Sequence, residues 1–320
     1  MLERMPTLSD LQEAAERVKP FVHQTPVLSS EQINEITGKE LFFKCENLQK
    51  VGAFKFRGAC NAVFSLSEKE ASKGVATHSS GNHAAALALA AKKRGISAHI
   101  VMPRTAPEVK KRAVAGYGGI ITFCEPTLEA RESTLAQVIE QTGALSIHPY
   151  DNYTIIAGQS TSAQELLKQV QELDVVMTPV GGGGLLSGTA LAVKYLQPNT
   201  KVYAAEPLGA DDAYRSIQAG RWLPSVSPNT ICDGLLTSLG QKNFPIIQEH
   251  VDKIITVSDE SVIRAMRLIW ERMKIIIEPS SAVCLAAILE HGEHFPEKRI
   301  GIILSGGNVD LGSLPFNESP

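Results

Sequence analysis

The chain has 320 residues, of which 43% are hydrophobic, 20% charged and 6% aromatic; this length suits one large or two moderate domains with a substantial core. Lys and Arg total 31 against 34 Asp and Glu, a net charge of −3, and no basic run breaks that balance, which argues against a nucleic-acid or anionic-membrane surface. The cysteines Cys45, Cys60, Cys124, Cys232 and Cys284 are scattered and never form a C-x-x-C pair, which argues against a disulfide scaffold, a zinc ribbon or a thioredoxin-type motif and fits a reducing cytoplasm.

In chain order, Ser9-Asp10-Leu11-Gln12 has capping-box spacing, and Leu11, Ala14, Ala15 and Val18 recur at helical intervals before Pro20. This predicts an amphipathic N-terminal helix, with acidic residues that a signal peptide avoids. Beyond it, β-branched runs predict strands over 41–44, 75–77, 99–102, 120–123, 145–148, 175–178, 202–205, 254–257 and 300–304. Helical periodicity falls between them, over 59–65, 84–93, 108–117, 128–141, 163–172 and 260–273. Such alternation predicts an α/β fold whose largely parallel sheet is covered on both faces, with ligands received at the carboxyl ends of strands. The longest apolar run, 84–91, is too short to span a bilayer. No repeat and no linker separates two halves, so two domains would be interleaved. The segment 314–320 reads as a frayed end.

The turns after the strands carry the chemistry. Gly181, Gly182, Gly183 and Gly184 bare backbone N–H groups ahead of a helix N-terminus, which suits a phosphate. A dinucleotide fingerprint would need a third glycine where Leu186 or Ser187 stands, and a Walker A loop would need Lys-Ser/Thr where Gly188 is followed by Thr189 and Ala190. Ser79, Ser80, Gly81, Asn82 and His83 form a nest suited to a carboxylate, although Ser80 or Asn82 also reads as an ordinary helix cap and His83 as a packed histidine. Ser305, in Ser305-Gly306-Gly307-Asn308, sets a hydroxyl at the end of the last strand. Lys55 stands between Phe54 and Phe56; it either snorkels outward or is desolvated, and desolvation lowers an amine's pKa as Schiff-base chemistry demands. Glu206 and Asp212, with a backbone carbonyl between them, offer hard oxygens to Mg²⁺ or Ca²⁺, against the plainer reading of a solvated acidic turn. An amine, a phosphate cradle and a carboxylate nest together describe a phosphorylated aldehyde that condenses with an amino acid, which is pyridoxal phosphate.

Ala53-Phe54-Lys55-Phe56-Arg57-Gly58-Ala59, Ser79-Ser80-Gly81-Asn82-His83, the four glycines from Gly181 and Ser305-Gly306-Gly307-Asn308 resemble the fold-type II pyridoxal phosphate enzymes, in particular the serine racemase and serine/threonine dehydratase family. The resemblance runs from Thr25 to Leu311. It implies a tryptophan synthase β-like fold with two open, twisted, mostly parallel sheets flanked by helices. A large cofactor domain would comprise 1–73 and 151–320, and a small mobile domain 74–150. Lys55 would carry the cofactor and act as base and acid at one face of the substrate Cα, with Ser80 at the other. Asn82 would bond the ring hydroxyl, Phe54 and Gly234 would flank the ring, the glycines would hold the phosphate and Ser305 would meet the pyridine nitrogen. Ser79, Ser80, Asn82, His83, Arg131 and Thr237 would receive the substrate, and Glu206, the Ala210 carbonyl and Asp212 would hold Mg²⁺, Ca²⁺ or Mn²⁺.

The implied activity is serine racemisation with serine/threonine dehydration. The alternatives are threonine dehydration without racemisation, or 3-hydroxyaspartate ammonia-lyase activity supported by Arg131. Tyr150 and Ser160 depart from the Asn and Gly of animal racemases. A cytoplasmic homodimer, and by analogy a nucleotide effector at its interface, are also implied. Failed glycine fingerprints oppose a nicotinamide oxidoreductase, and an intact Lys55, Ser80 and Ser305 oppose a non-catalytic sensor.

Overall fold

Two sheets organise the chain in the computed structural model, which describes residues 1–79, 81–292 and 295–316. The strands are β1 (Val27–Leu28), β2 (Glu40–Cys45), β3 (Val75–His78), β4 (Ala98–Pro103), β5 (Ile120–Cys124), β6 (Leu145–Ser146), β7 (Val175–Pro179), β8 (Lys201–Pro207), β9 (Lys253–Val257) and β10 (Arg299–Leu304). A six-stranded sheet runs β1-β2-β10-β7-β8-β9 and a four-stranded sheet β5-β4-β3-β6. Every pairing is parallel except β1 with β2.

Both faces of the larger sheet are dry, which is why its strands read as continuous apolar runs. Val175 and Met177 of β7 join Ile300 and Ile302 in a core under the helices Asp259–Met273 and Pro279–His291. Val176 and Ile303 face the opposite core, under Tyr153–Gln169 and Gly184–Leu196. A third core lies between the helix Lys55–Phe64 and the smaller sheet's helix Asn82–Arg94. Lys55–Phe64 therefore touches a layer of each sheet, packing on Asn82–Arg94 and on Tyr153–Gln169.

The strands expected from sequence are all present, with 145–148 shortened to Leu145–Ser146. β1 was not foreseen, because two residues carry no alternation. The N-terminal helix is Leu8–Val18, capped by Thr7 and not Ser9: the Asp10 carboxylate accepts from Thr7 N at 2.7 Å and Thr7 Oγ1 at 2.6 Å. The helix expected over 163–172 is instead Tyr153–Gln169, started by Asn152, whose Oδ1 accepts from Thr154 N and Ile155 N. Its first turns escape a periodicity reading because they are buried all round. The tail is docked as far as Phe316, whose ring lies 5.2 Å from that of Trp270; the remainder of the expected frayed end, 317–320, lies outside the described residues. All five cysteines are free and buried. Among the described residues no helix is long and apolar enough to cross a membrane.

Candidate active site

Lys55 opens its helix directly after a bridge between Ala53 and Gly306, and Phe54 N donates to Ser305 O at 3.0 Å. The lysine is thereby tied to the carboxyl end of β10. Its Nζ donates to Pro149 O at 2.9 Å and lies 5.2 Å from the centre of the Phe54 ring and 5.8 Å from that of Tyr150. The residue is partly accessible, but protein surrounds its amine, and burial pushes the ammonium down to about 8 against the opposing pull of Glu278. The amine is thus mostly protonated at pH 7, with roughly a tenth of it neutral, and its burial rules out snorkelling.

The glycine loop leaves β7 and becomes the N-terminus of Gly184–Leu196, with Gly183 at φ +90°. Only glycine adopts that backbone without strain. Among the described residues nothing accepts from the N–H groups of Gly181, Gly182 or Gly183, although all three residues are buried. Buried, uncommitted N–H groups at a helix start form an anion cradle. Tyr150 links this cradle to Lys55: a Cβ on Gly182 would stand 2.3 Å from Tyr150 Cγ. Burial raises the pKa of the Tyr150 hydroxyl, and the nearby Thr237 side chain works against that rise.

Asn82 begins the helix Asn82–Arg94. Its Nδ2 lies 3.2 Å from each oxygen of Glu278, and its Oδ1 accepts from Asn308 Nδ2 at 2.9 Å. Glu278 caps Pro279–His291 and is only 4% exposed; burial, reinforced by Asp233, pushes its carboxyl up to about 7. Gly306 exists beside it because a Cβ there would sit 2.8 Å from Glu278 Oε1. Gly234 N donates to Ser280 Oγ at 3.1 Å, and Ser305 Oγ lies 3.0 Å from Ser281 Oγ. Phe54, Lys55, Asn82, the glycine loop, Gly234, Thr237 and Ser305 therefore form one connected site.

The remaining candidates are more scattered. Ser79 N donates to Val101 O at 3.1 Å, while Ser80 lies outside the described residues. His83 is turned inward, 2% exposed, with Nε2 3.2 Å from Ile147 O; burial pushes it down to about 3, so the ring is neutral. Arg131 stands on the helix Leu128–Thr142, close enough to shift His78 and Cys124 electrostatically, and its buried Nε has no hydrogen-bond partner among the described residues. No described hydrogen bond joins it to Lys55, Asn82 or the glycine loop. A cavity of about 200 Å³, lined in part by His78, Glu132, His148 and Pro149, separates that helix from the Lys55 anchor.

The two carboxylates after β8 are not solvated. Glu206 is 0% exposed and Asp212 is 1% exposed, with the buried Ala210 between them on a turn whose Leu208 and Gly209 are exposed. Glu206 Oε1 accepts from Tyr214 N at 2.6 Å, whereas Oε2 has no partner among the described residues. Burial and the neighbouring Asp212 raise Glu206 well above its ordinary value, and burial lifts Asp212 to about 6. No group of three or more His, Cys, Asp or Glu side chains arranged for a metal occurs among the described residues, yet an orphaned buried carboxylate oxygen fits a cation. Asp212 Oδ2 also accepts from Leu239 N at 2.7 Å, and a Cβ on Gly183 would stand 2.7 Å from Leu239 Cδ1. The acidic pair lies directly behind the cradle.

Sequence reasoning missed Glu278, Asn308, Ser281 and the Pro149 carbonyl. The Glu278-Pro279 step after an isoleucine run was readable as a helix start, but nothing local showed that its carboxylate faces Asn82.

A desolvated amine bridged to an empty-handed N–H cradle at the carboxyl ends of parallel strands defines an enzyme built around a phosphorylated carbonyl cofactor. The family model described as "Pyridoxal-phosphate dependent enzyme" matches residues 18–306, and the chain belongs to that family. It is similar to the serine racemase of Dictyostelium discoideum, 57% identical over 96% of this chain and 96% of that one. It also resembles the beta-hydroxyaspartate dehydratase of Paracoccus denitrificans, 53% identical over 98% of this chain and 99% of that one. The structure of maize serine racemase superposes with a TM-score of 0.95, at 48% identity over 97% of this chain and 95% of that one.

Proposed function

We propose that this enzyme racemises serine and dehydrates serine and threonine, giving D-serine and a keto acid plus ammonia. The observation that carries the reading is the Lys55 amine, desolvated and joined through Tyr150 to the free N–H groups of Gly181, Gly182 and Gly183. Two kinds of group must meet on such a cofactor, an amine for its carbonyl and N–H donors for its phosphate, and both are supplied here. Similarity to serine racemases supports the substrate.

Pyridoxal phosphate, when bound, supplies the electron sink that acidifies the substrate's Cα–H and lets a β-hydroxyl depart. Lys55 accepts the Cα proton on one face, which its lowered pKa permits near neutrality, and Ser80 returns a proton on the other. Asn82 donates to the ring hydroxyl, Phe54 and Gly234 bound the ring, and Ser305, oriented by Ser281, meets the pyridine nitrogen with a neutral hydroxyl. Ser79, Ser80, Asn82 and the N-terminus of His83's helix receive the substrate carboxylate. His83 contributes by its backbone, its ring being interior. Thr237, beside Tyr150, lies toward the substrate side chain. Glu206, the Ala210 carbonyl and Asp212 hold Mg²⁺, Ca²⁺ or Mn²⁺ and so brace Leu239 against the cradle. Residues 74–150 form a small domain that closes on the substrate over the body made by 1–73 and 151–320, and the enzyme works as a cytoplasmic homodimer, with a nucleotide effector at the interface by analogy.

Purified enzyme given L-serine, L-threonine and L-threo-3-hydroxyaspartate, with keto-acid and chiral amino-acid analysis, tests the reading; absence of D-serine and of keto acid from serine would overturn it. Lys55→Ala is expected to lose the cofactor's visible absorbance together with both activities, and retained absorbance would remove Lys55 from its role. A second reading, ammonia-lyase action on 3-hydroxyaspartate, is favoured by the unpaired Arg131 Nε, which suits a β-carboxylate, and by the Paracoccus relative. Threonine dehydration without racemisation is the outcome expected if Ser80 returns no proton.

A further inference from the structure

Asn82 is gripped at both ends of its amide. Asn308 Nδ2 donates to Oδ1, while Nδ2 faces both oxygens of Glu278. An amide nitrogen carries two protons, so one can serve Glu278 and leave the other for the site. Asn308 itself is fixed, since its Nδ2 also donates to Val51 O at 2.7 Å and its backbone N donates to Glu278 Oε2 at 3.2 Å. Glu278 makes no hydrogen bond to Lys55, yet it is buried at the heart of the site with nothing else to explain a carboxyl there.

We infer that Glu278 is a positioning residue for the cofactor: ionised, it fixes the Asn82 amide so that an N–H and not the oxygen meets the ring hydroxyl, and protonation of Glu278 releases that orientation. The inference rests on the proposed roles of Lys55 and Asn82. An ionised carboxylate only accepts hydrogen bonds, so it excludes the flipped amide, whose oxygen would face it. A protonated carboxyl offers an O–H and tolerates the flip. The consequence at the ring is direct, because a donor favours the ionised ring oxygen and an acceptor favours the protonated one.

The charges facing Glu278 come from several elements. Asp233, in the short turn Asp233–Leu235, raises its pKa, and Lys110 of the helix Glu108–Gly116, paired with Asp233 at 2.6 Å, lowers it. Lys55 feels the carboxylate in turn, and the neighbouring Cys232 stays a thiol because burial pushes it up to about 12. With Glu278 at about 7, the release falls within the ordinary working range.

The test follows the holoenzyme's cofactor absorbance and dissociation constant from acid to alkaline pH. Cofactor affinity should weaken about tenfold as pH falls through the Glu278 range, the equivalent of one charge-assisted hydrogen bond. In Glu278→Gln the affinity should be weak throughout and that inflection absent; Glu278→Asp should restore it in part. Asp233→Asn leaves the carboxylate in place but removes the charge that raises its pKa, so the inflection should move to lower pH and persist. An unchanged inflection in Glu278→Gln, or an unmoved one in Asp233→Asn, overturns the inference, and the second variant decides should the first not fold. A wild-type protein that never shows cofactor absorbance would instead overturn the reading of Lys55.

Discussion

Lys55 places an ammonium where protein, not water, surrounds it, and pH controls what that does to stability. Its pKa falls from 10.5 in the unfolded chain to about 8 in the folded one, so below pH 8 both states are protonated and the folded state bears the full penalty of burial. Between about 8 and 10.5 the unfolded chain binds more protons, and stability rises with pH. Cofactor-free Lys55→Met should therefore melt above cofactor-free wild type at pH 7, with the gap closing toward pH 10.5; a gap that does not narrow would mean the amine is solvated. Lys55 was legible in the sequence because its two phenylalanine neighbours give a local sign of desolvation. Glu278 was not, since a glutamate before proline reads only as a helix start, and its partner Asn82 is 196 residues away in sequence. Tyr150 stood out as a departure from relatives, but its role as the plate between Lys55 and Gly182 required the folded chain.

The glycine loop shows what an element adds to its residues. Gly183 must be glycine for its backbone, with φ +90°, whereas Gly182 must be glycine for its neighbour, because the Tyr150 ring occupies the place of a side chain. Gly182→Ala should displace Tyr150, weaken cofactor binding by at least about tenfold and leave the fold intact, since the tyrosine is only half-buried and can yield. Cofactor titration alongside far-ultraviolet circular dichroism checks both halves, and an alanine variant with wild-type affinity would refute the plate. Strands were readable as short β-branched runs, dry on both faces in the larger sheet, and surface helices from periodicity because they alternate between core and water. Pro279–His291, which supplies Glu278 and Ser281 to the site, was missed: its residues from Ser280 to Ile288 are buried on every side, and a helix without a polar face shows no 3.6-residue signal.

At the scale of the molecule, two clusters of buried charge away from Glu278 are treated differently. Beneath the Lys55 helix, Arg57 is fully buried but saturated, meeting Glu46 at 2.7 and 2.8 Å and Glu165 at 2.7 and 2.8 Å, with Lys44 closing on Glu165 at 2.6 Å. Such a network ties the helix to β2 and to Tyr153–Gln169, a long-range arrangement that no local pattern reveals. Behind the glycine loop, the only help Glu206 and Asp212 have among the described residues comes from the part-exposed Arg215, which is itself paired with Asp211 at 2.7 Å, and Glu206 Oε2 has no donor there. One buried cluster fully paired and the other left with an unsatisfied carboxyl oxygen support the cation site proposed above. Millimolar Mg²⁺ should accordingly raise the melting temperature through binding to the folded state alone, and a chelator should reverse the rise. Glu206→Gln should lose that response and, without added metal, be more stable than wild type by about 1–3 kcal/mol, because folding the metal-free wild type must either protonate Glu206 or bury its charge, and a neutral amide needs neither. Calorimetry with and without Mg²⁺ separates the possibilities: a Glu206→Gln protein that still gains stability from the ion would place the metal elsewhere. One that is less stable than metal-free wild type would overturn the cost assigned to the buried carboxyl, since the glutamine oxygen can still accept from Tyr214 N.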